Sequence, residues 1–265
     1  MHLLDCYALN CGLKIDKPFI FEKYFPLNLD HYITFSPESF FQSRQYDYWS
    51  ETIRILLPYL QDNGIHIIQL GSSNSALYEG CHNLCGQTTE SQEAYIMSNS
   101  LLHLGVDGFH NHLASHYDKK IVSLFSDSHP KNSGPYFSSD ESVKSIPPDF
   151  KDGQSHSYSI QEESKSINSI KPEDIAKEVC HLLNVETNTN KFNFRFPYKT
   201  VFIGSDFHGR RVESVPSESV LDISSLNIDS IVVRMDLNFN EQFLINQLNS
   251  SNCSIITKKP ISLDI

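Results

Sequence analysis

The chain of 265 residues is short of several things that would assign it quickly. No apolar run approaches the roughly 18 residues that a membrane-spanning helix needs. The N-terminal stretch MHLLDCYALNCGLKID has no basic region and carries Asp5 inside its apolar part, which argues against a signal peptide. Basic charge is scarce. Lys+Arg number 21 against Asp+Glu 32, a formal net charge of -11, so the clustered basic surplus of a nucleic-acid binder is missing. A local pocket for one phosphate group is still allowed. The six cysteines, Cys6, Cys11, Cys81, Cys85, Cys180 and Cys253, lack a secretory context, so reduced thiols and a cytoplasmic location are expected. Cys81 and Cys85 are spaced like half of a zinc site, but no second Cys or His pair follows at zinc-finger spacing.

What is present is an alternation of short apolar strands and helices. Residues 32–35 read as a strand, broken by Ser36-Pro37-Glu38-Ser39. Residues 47–61 place Trp49, Ile53, Leu56, Leu57 and Leu60 at helical spacing, and Asn63-Gly64 is a fitting stop. Residues 65–70 read as a buried strand that ends at Gly71-Ser72-Ser73. Thr89-Glu90-Ser91-Gln92 fits a capping box opening a helix to about residue 98. Strand 101–106, helix 109–117 and strand 121–125 follow. This pattern predicts an α/β fold: a Rossmann-like parallel sheet with helices on both faces. Ligands of such sheets bind outside the carboxyl ends of the strands.

Residues 126–170, rich in Ser, Asp, Lys and Pro, read as an extended loop, with a linker as the competing reading. Residues 172–183 form a clear helix, with Pro172 at its first position and Glu173 and Asp174 in the first turn. Strands are expected at 200–205, 220–224, 230–235 and 253–258, with a helix at 240–251. Residues 199–265 therefore read as a small additional α/β unit, and residues 32–186 as the Rossmann-like domain.

The segment GVDGFHNHLAS, residues 105–115, carries the densest chemistry. Val106-Asp107 ends a strand, and Gly108 permits a tight turn and close approach of a ligand. The next residues open a helix whose first N–H groups lack intrahelical partners, a ready seat for a phosphate. His110 and His112 add ring nitrogens. A plain crossover, with Asp107 as a cap and His112 as an interior histidine, explains the same spacing. A metal site built from His110 and His112 with Asp107 or His116 is a third reading, weakened because residues two apart on a helix do not share a face.

Four segments, in order, carry a resemblance: SP…R-Q-Y…W from Ser36, IIQLG from Ile67, NLCGQTT from Asn83, and GVDGFHNHLAS with the KKIVSLF behind it. Over roughly residues 30–130 the chain resembles the C-terminal, donor-binding domain of the heptosyltransferase-like glycosyltransferases of GT-B fold. In that family Asp-[Ser/Thr]-Gly stands where this chain has Asp107-Gly108-Phe109.

The resemblance implies a nucleotide-diphospho-sugar as substrate, an ADP-sugar favoured, with no cofactor and no metal. The acceptor would be a glycan or a lipid-linked molecule, as in lipopolysaccharide biosynthesis. Asp107, Gly108, Phe109, His110, Asn111 and His112 would form the sugar-diphosphate seat. Ser36 and Arg44 would face the phosphates from the first loop. Gly71 and Ser72, with Gly86-Gln87-Thr88, would border the nucleoside. From the residues alone, Arg44 is equally a solvated surface arginine, and the two glycine segments are ordinary turns and caps. In the family the catalytic base lies on a separate acceptor domain. Residues 1–31 then read as the exit of such a domain and a linker, with a missing N-terminal domain or a homo-oligomer completing the enzyme. A catalytically inactive binding or assembly module is the alternative.

Overall fold

A computed structural model describes residues 1–150, 155–186, 200–203, 230–235, 239–250 and 253–257. The chain divides into two compact units, Met1–Thr187 and Asn188–Ile265.

The first unit begins with helix α1 (Leu3–Cys11) and strand β1 (Tyr32–Ser36). Helix α2 (Trp49–Asp62), β2 (His66–Gln69), β3 (His82–Asn83), α3 (Glu90–Ser98), β4 (Leu102–Val106), α4 (Phe109–His116) and β5 (Lys120–Leu124) follow. The unit closes with α5 (Pro130–Ser133), β6 (Val143–Ile146) and α6 (Pro172–Leu183). Six strands form one sheet in the order β3-β2-β1-β4-β5-β6, every pairing parallel. The order reverses direction between β1 and β4. That is the point where open α/β sheets leave a crevice at their carboxyl edge.

Local chemistry explains the helix boundaries. The Gln92 side chain reaches back to accept from the Thr89 N–H at 3.0 Å, the return half of the capping box. Gly64, at φ +65°, turns the chain after α2 as a left-handed residue does at little cost. Pro172 opens α6. The sheet is covered on both sides. Helices α2 and α6 pack together, and α4 lies on β4 and β5 with α3 beside it. On the α3–α4 side, Tyr32, Ile68, Leu70, Ile96, Met97, Leu113 and Ile121 form one buried cluster.

Two segments differ from expectation. Residues 1–31 are more than a linker: Ile20, Phe25, Leu27 and Leu29 pack against that same cluster, while α1 buries none of its residues. The stretch 126–170 is more than an extended loop. It supplies α5 and the sixth strand, whose Val143–Ile146 pair in parallel with Ile121–Leu124. An edge strand of Val-Lys-Ser-Ile is too short and too polar to stand out by periodicity.

In the second unit, β7 (Thr200–Ile203), β8 (Ser230–Arg234) and β9 (Cys253–Ile256) form a parallel sheet in that order. Helix α7 (Glu241–Ser250) connects β8 to β9. Val233, Met235, Phe243 and Leu244 are buried. The expected strand at 220–224 lies outside the described residues. Among the described residues no helix is long and apolar enough to cross a membrane.

Leu104 is fully buried in β4, between β1 and β5. Leu104→Ala is expected to cost about 2–5 kcal/mol, seen in urea unfolding as a lower midpoint at unchanged slope. A loss well under 1 kcal/mol would show that the sheet centre is not packed in this way.

Candidate functional site

At the reversal point the carboxyl ends of β1, β2 and β4 surround a cleft of about 520 Å³. Ser36 and the Glu38–Phe40 loop line one side. Leu70, Gly71 and Ser72 line a second, and Asp107 to His110 a third, with Glu90 and Glu93 of α3 beyond them. Ser36 pairs in register with Gly105. It is only 6% exposed, and its Oγ is buried with no hydrogen-bond partner. That is an unusual condition for a polar group.

Arg44 does not face the cleft as a free cation. Its Nε donates to Asp127 Oδ1 at 2.6 Å and its second terminal nitrogen to Asp127 Oδ2 at 2.9 Å. The remaining nitrogen lies 3.0 Å from Asp107 Oδ2 and donates to the Asp107 carbonyl at 3.3 Å. The guanidinium also stacks over Phe41, 4.8 Å from the ring centre. The Arg44 side chain is 16% exposed, that of Asp107 3% and that of Asp127 8%. Burial works against the Arg44 charge, but the Asp127 hydrogen bonds and the two carboxylates outweigh it and hold its pKa above the ordinary value. Burial pushes the Asp107 carboxyl up, against the pull of Arg44, of His112 and of the Ser128 hydroxyl, which donates to Asp107 Oδ2 at 3.2 Å.

The segment 107–112 separates into different roles. Gly108 precedes α4 in a fully extended conformation, without a side-chain cap. A Cβ there would meet only the Val106 carbonyl oxygen, at 3.9 Å, so nothing within the chain demands the glycine. Phe109 lines the cleft while 54% exposed. His110 Nε2 lies 3.1 Å from Glu93 Oε2. Asn111 faces the core: its amide donates to the Val106 carbonyl at 2.9 Å and to Ser123 Oγ, a role in positioning the turn. His112 is exposed; partial burial still lowers its pKa, while Asp107 raises it.

The segment expected beside a nucleoside is divided in the same way. Gly71 and Ser72 line the cleft. Gly86, at φ +69°, sits in a turn against Ser73, where a Cβ would fall 2.7 Å from that backbone. Thr88 donates to Glu93 Oε1 at 3.0 Å. Neither Gly86 nor Thr88 is among the cleft-lining residues.

Three cleft residues, Glu38, Glu90 and Glu93, carried no signal as a set, because only the fold brings them together. Glu38 accepts from Ser75 Oγ at 2.6 Å and from the Ala76 N–H at 2.9 Å. Beneath the cleft, His103 of β4 is fully buried. Its Nδ1 shares a hydrogen with Thr34 Oγ1 at 3.0 Å, and its Nε2 has no partner. Burial, with His110 nearby, holds its pKa well below the ordinary value. Among the described residues no group of three or more His, Cys, Asp or Glu is placed to hold a metal ion.

The model of glycosyltransferase family 9 (heptosyltransferase) matches residues 12–158, more than half of the chain and all of this cleft. The chain belongs to this family. No curated protein matches it. Solved structures do. The iron-containing dodecameric glycosyltransferase TibC from enterotoxigenic E. coli matches with TM-score 0.50 at 10% identity, over 65% of this chain and 50% of that one. The ADP-heptose lipopolysaccharide heptosyltransferase II of E. coli matches at 18% identity, over 68% of this chain and 50% of that one, with TM-score 0.46. A family 9 glycosyl transferase of Veillonella parvula matches at 17% identity, over 58% and 46%, with TM-score 0.48. At such identities the likeness is one of fold. This family 9 chain spans about half the length of the solved structures it matches.

Arg44→Met leaves two buried carboxylates facing each other. The expected cost is about 3–5 kcal/mol at pH 7, measured by urea unfolding, and smaller at pH 5, because burial pushes the Asp107 carboxyl up and lets it take a proton more readily. A loss under 1 kcal/mol at pH 7 would show the arginine to be free. For His103 the folded pKa lies below the ordinary 6.5, so the unfolded chain binds more protons. Stability must fall as pH drops below about 6.5, with a slope of up to ~1.4 kcal/mol per pH unit from this one group. His103→Gln should flatten the dependence of the unfolding midpoint between pH 6.5 and 5. Equal slopes in the two proteins would rule the buried neutral histidine out.

Proposed function

We propose that this family 9 chain is the donor half of a glycosyltransferase: its cleft binds a nucleotide-diphospho-sugar, an ADP-sugar favoured, for transfer to a glycan or lipid-linked acceptor of the lipopolysaccharide kind, in the cytoplasm. The observation that carries this reading is the cleft's position and form. It opens at the reversal of strand order, where the bare Gly108 and the first N–H groups of α4 adjoin it beside the unpartnered Ser36 Oγ. A helix start with no side-chain cap leaves donors for a diphosphate. The side chains of Glu38 and Ser72 can accept from ribose or sugar hydroxyls, and Phe109 and Leu70 offer apolar contact.

These residues bind and orient; the reacting base is left to an acceptor-binding partner or domain. A second reading, a family member that binds but does not transfer, draws support from Arg44, which two carboxylates hold. Calorimetric titration of the folded chain with ADP, GDP and UDP in a buffer containing Mg²⁺ tests the donor reading, with ADP expected to bind most tightly. No heat from any of them at millimolar concentration would overturn it. Turnover of an ADP-sugar by the chain would dismiss the non-transferring alternative.

A further inference from the structure

Two exposed histidines stand together at the amino edge of the sheet, away from the cleft. His66 opens β2 and His82 opens β3, the strand at one side of the sheet. His82 pairs in register with Ile68, two residues beyond His66, so the pleat puts both rings on one face. Backbone bonds fix the two positions. The His66 N–H donates to the His31 carbonyl at 2.9 Å, and just beyond the pair the Leu84 N–H donates to the Gln69 carbonyl at 3.0 Å.

His82 Nε2 lies 3.3 Å from His66 Nδ1, and the ring centres are 5.1 Å apart with the planes at 75°. A straight N–H···N hydrogen bond of that length would hold the centres about 5.6 Å apart, and such bonds are ordinarily shorter. Two imidazoles bonded to one tetrahedral ion at about 2.0–2.1 Å have their nitrogens about 3.3 Å apart and their ring centres about 5.2 Å apart. Both observed distances match the second arrangement. Neutral imidazole is the form that binds a metal. With their protons on the outer nitrogens, His66 Nε2 and His82 Nδ1, both rings stay neutral and one changes tautomer. Cys81, beside His82 in the chain, adds no thiolate: burial, with Cys85 near, pushes its thiol up to about 12. Among the described residues no group of three His, Cys, Asp or Glu is placed to hold a metal, so the site has two protein ligands.

We propose that His66 Nδ1 and His82 Nε2 form a surface site for a borderline divalent cation of the Zn²⁺ type, water filling its other positions, and that the ion staples edge strand β3 to β2. The two histidines are 16 positions apart, and the stretch between them includes Leu70, Gly71 and Ser72 of the cleft wall. An ion held at both ends closes that stretch into a ring. Strand β3 gives only two residues to the sheet, so its hold on β2 is short without such a clip. An ion that binds the folded arrangement and not the unfolded chain stabilises by mass action.

The test is titration of the full chain with Zn²⁺ in chelator-free buffer without nucleotide. Binding at the pair is expected, and His66→Gln and His82→Gln should each weaken it at least about tenfold. In nitrogen-15 spectra the signals of His66 Nδ1 and His82 Nε2 should move as Zn²⁺ is added. Zn²⁺ should raise the thermal unfolding midpoint of the unaltered chain and leave that of either variant in place. A second close pair, His129 and His156, with ring centres 5.2 Å apart, serves as the control. Its Nδ1 atoms are engaged by the Lys131 N–H and the Ser126 carbonyl, and His156→Gln should leave the affinity unchanged. No binding at millimolar Zn²⁺, unchanged affinity in His82→Gln, or loss of binding in His156→Gln alone would overturn the proposal. None of these outcomes bears on the donor reading, since the pair lies at the opposite edge of the sheet from the cleft.

Discussion

Asp107 cannot be buried alone. Its carboxylate closes β4 at the carboxyl edge of the sheet with 3% of its side chain exposed, and a buried charge without a partner costs several kcal/mol. Arg44 answers it, and Asp127 shares the arginine. The three residues come from the loop after β1, the end of β4 and the loop after β5. One ion cluster thereby joins two loops of the cleft wall, those after β1 and β4, to the loop after β5. The joining extends outward. Gln42, two residues before Arg44, exchanges two hydrogen bonds with the Glu162 backbone, its amide donating at 3.2 Å and accepting at 2.9 Å. The Ser43 N–H donates to the Ile160 carbonyl at 3.2 Å. Tyr158 N–H donates to the Asp127 carbonyl at 2.9 Å. A polar segment with few apolar anchors is held in place by backbone pairing to the same loop that carries Arg44.

That organisation explains what could be read in the residues and what could not. Helices α2, α3, α4 and α6 and strands β1, β2, β4 and β5 announce themselves through apolar spacing and through local signals: Asn63-Gly64, the Thr89–Gln92 box, Pro172. These depend on neighbours a few positions away, so a sequence displays them. The sixth strand does not, because Val143-Lys144-Ser145-Ile146 becomes a strand only by pairing with Ile121–Leu124, 22 positions earlier. The packing of Ile20, Phe25 and Leu27 is likewise a fact of the third dimension. Within the site, Ser36, Gly71, Ser72 and Asp107 to His110 were legible because each directly follows a strand. Asn111 belongs to the same motif and yet turns inward to Val106 and Ser123. A helix rotates successive residues by about 100°, and the motif does not say which way Asn111, the third residue of α4, points. Arg44's partners were invisible because Asp127 lies 83 positions away.

The cleft carboxylates are struts as well as charges. Glu38 ties the loop after β1 to Ser75 and Ala76, and Glu93 ties α3 to Thr88 and to His110 of α4. Loops at a sheet edge need such ties, since their backbone groups have no ladder partners. The side effect is electrostatic. Two like charges ~6 Å apart repel by about 3 kcal/mol at an effective dielectric of ~20, whereas a helix start returns at most ~1 kcal/mol at an accessible site. Geometry and charge therefore set different conditions at one place: the uncapped start of α4 leaves N–H donors, and the carboxylates around it are acceptors.

Gly108 and Phe109 show how shape can survive a change of sequence. The family pattern puts a glycine where this chain has Phe109, and a ring at the start of α4 ought to fill the seat. Here the glycine stands one place earlier, in extended backbone that any residue adopts, with almost nothing around its missing Cβ. The chain itself gains no close packing from it. What the glycine leaves open is the approach to the first N–H groups of α4. Phe109, more than half exposed, stands beside that approach against the His110 ring, 5.3 Å between centres. The bare backbone stands one residue before α4, and the Phe109 ring forms part of the cleft's wall.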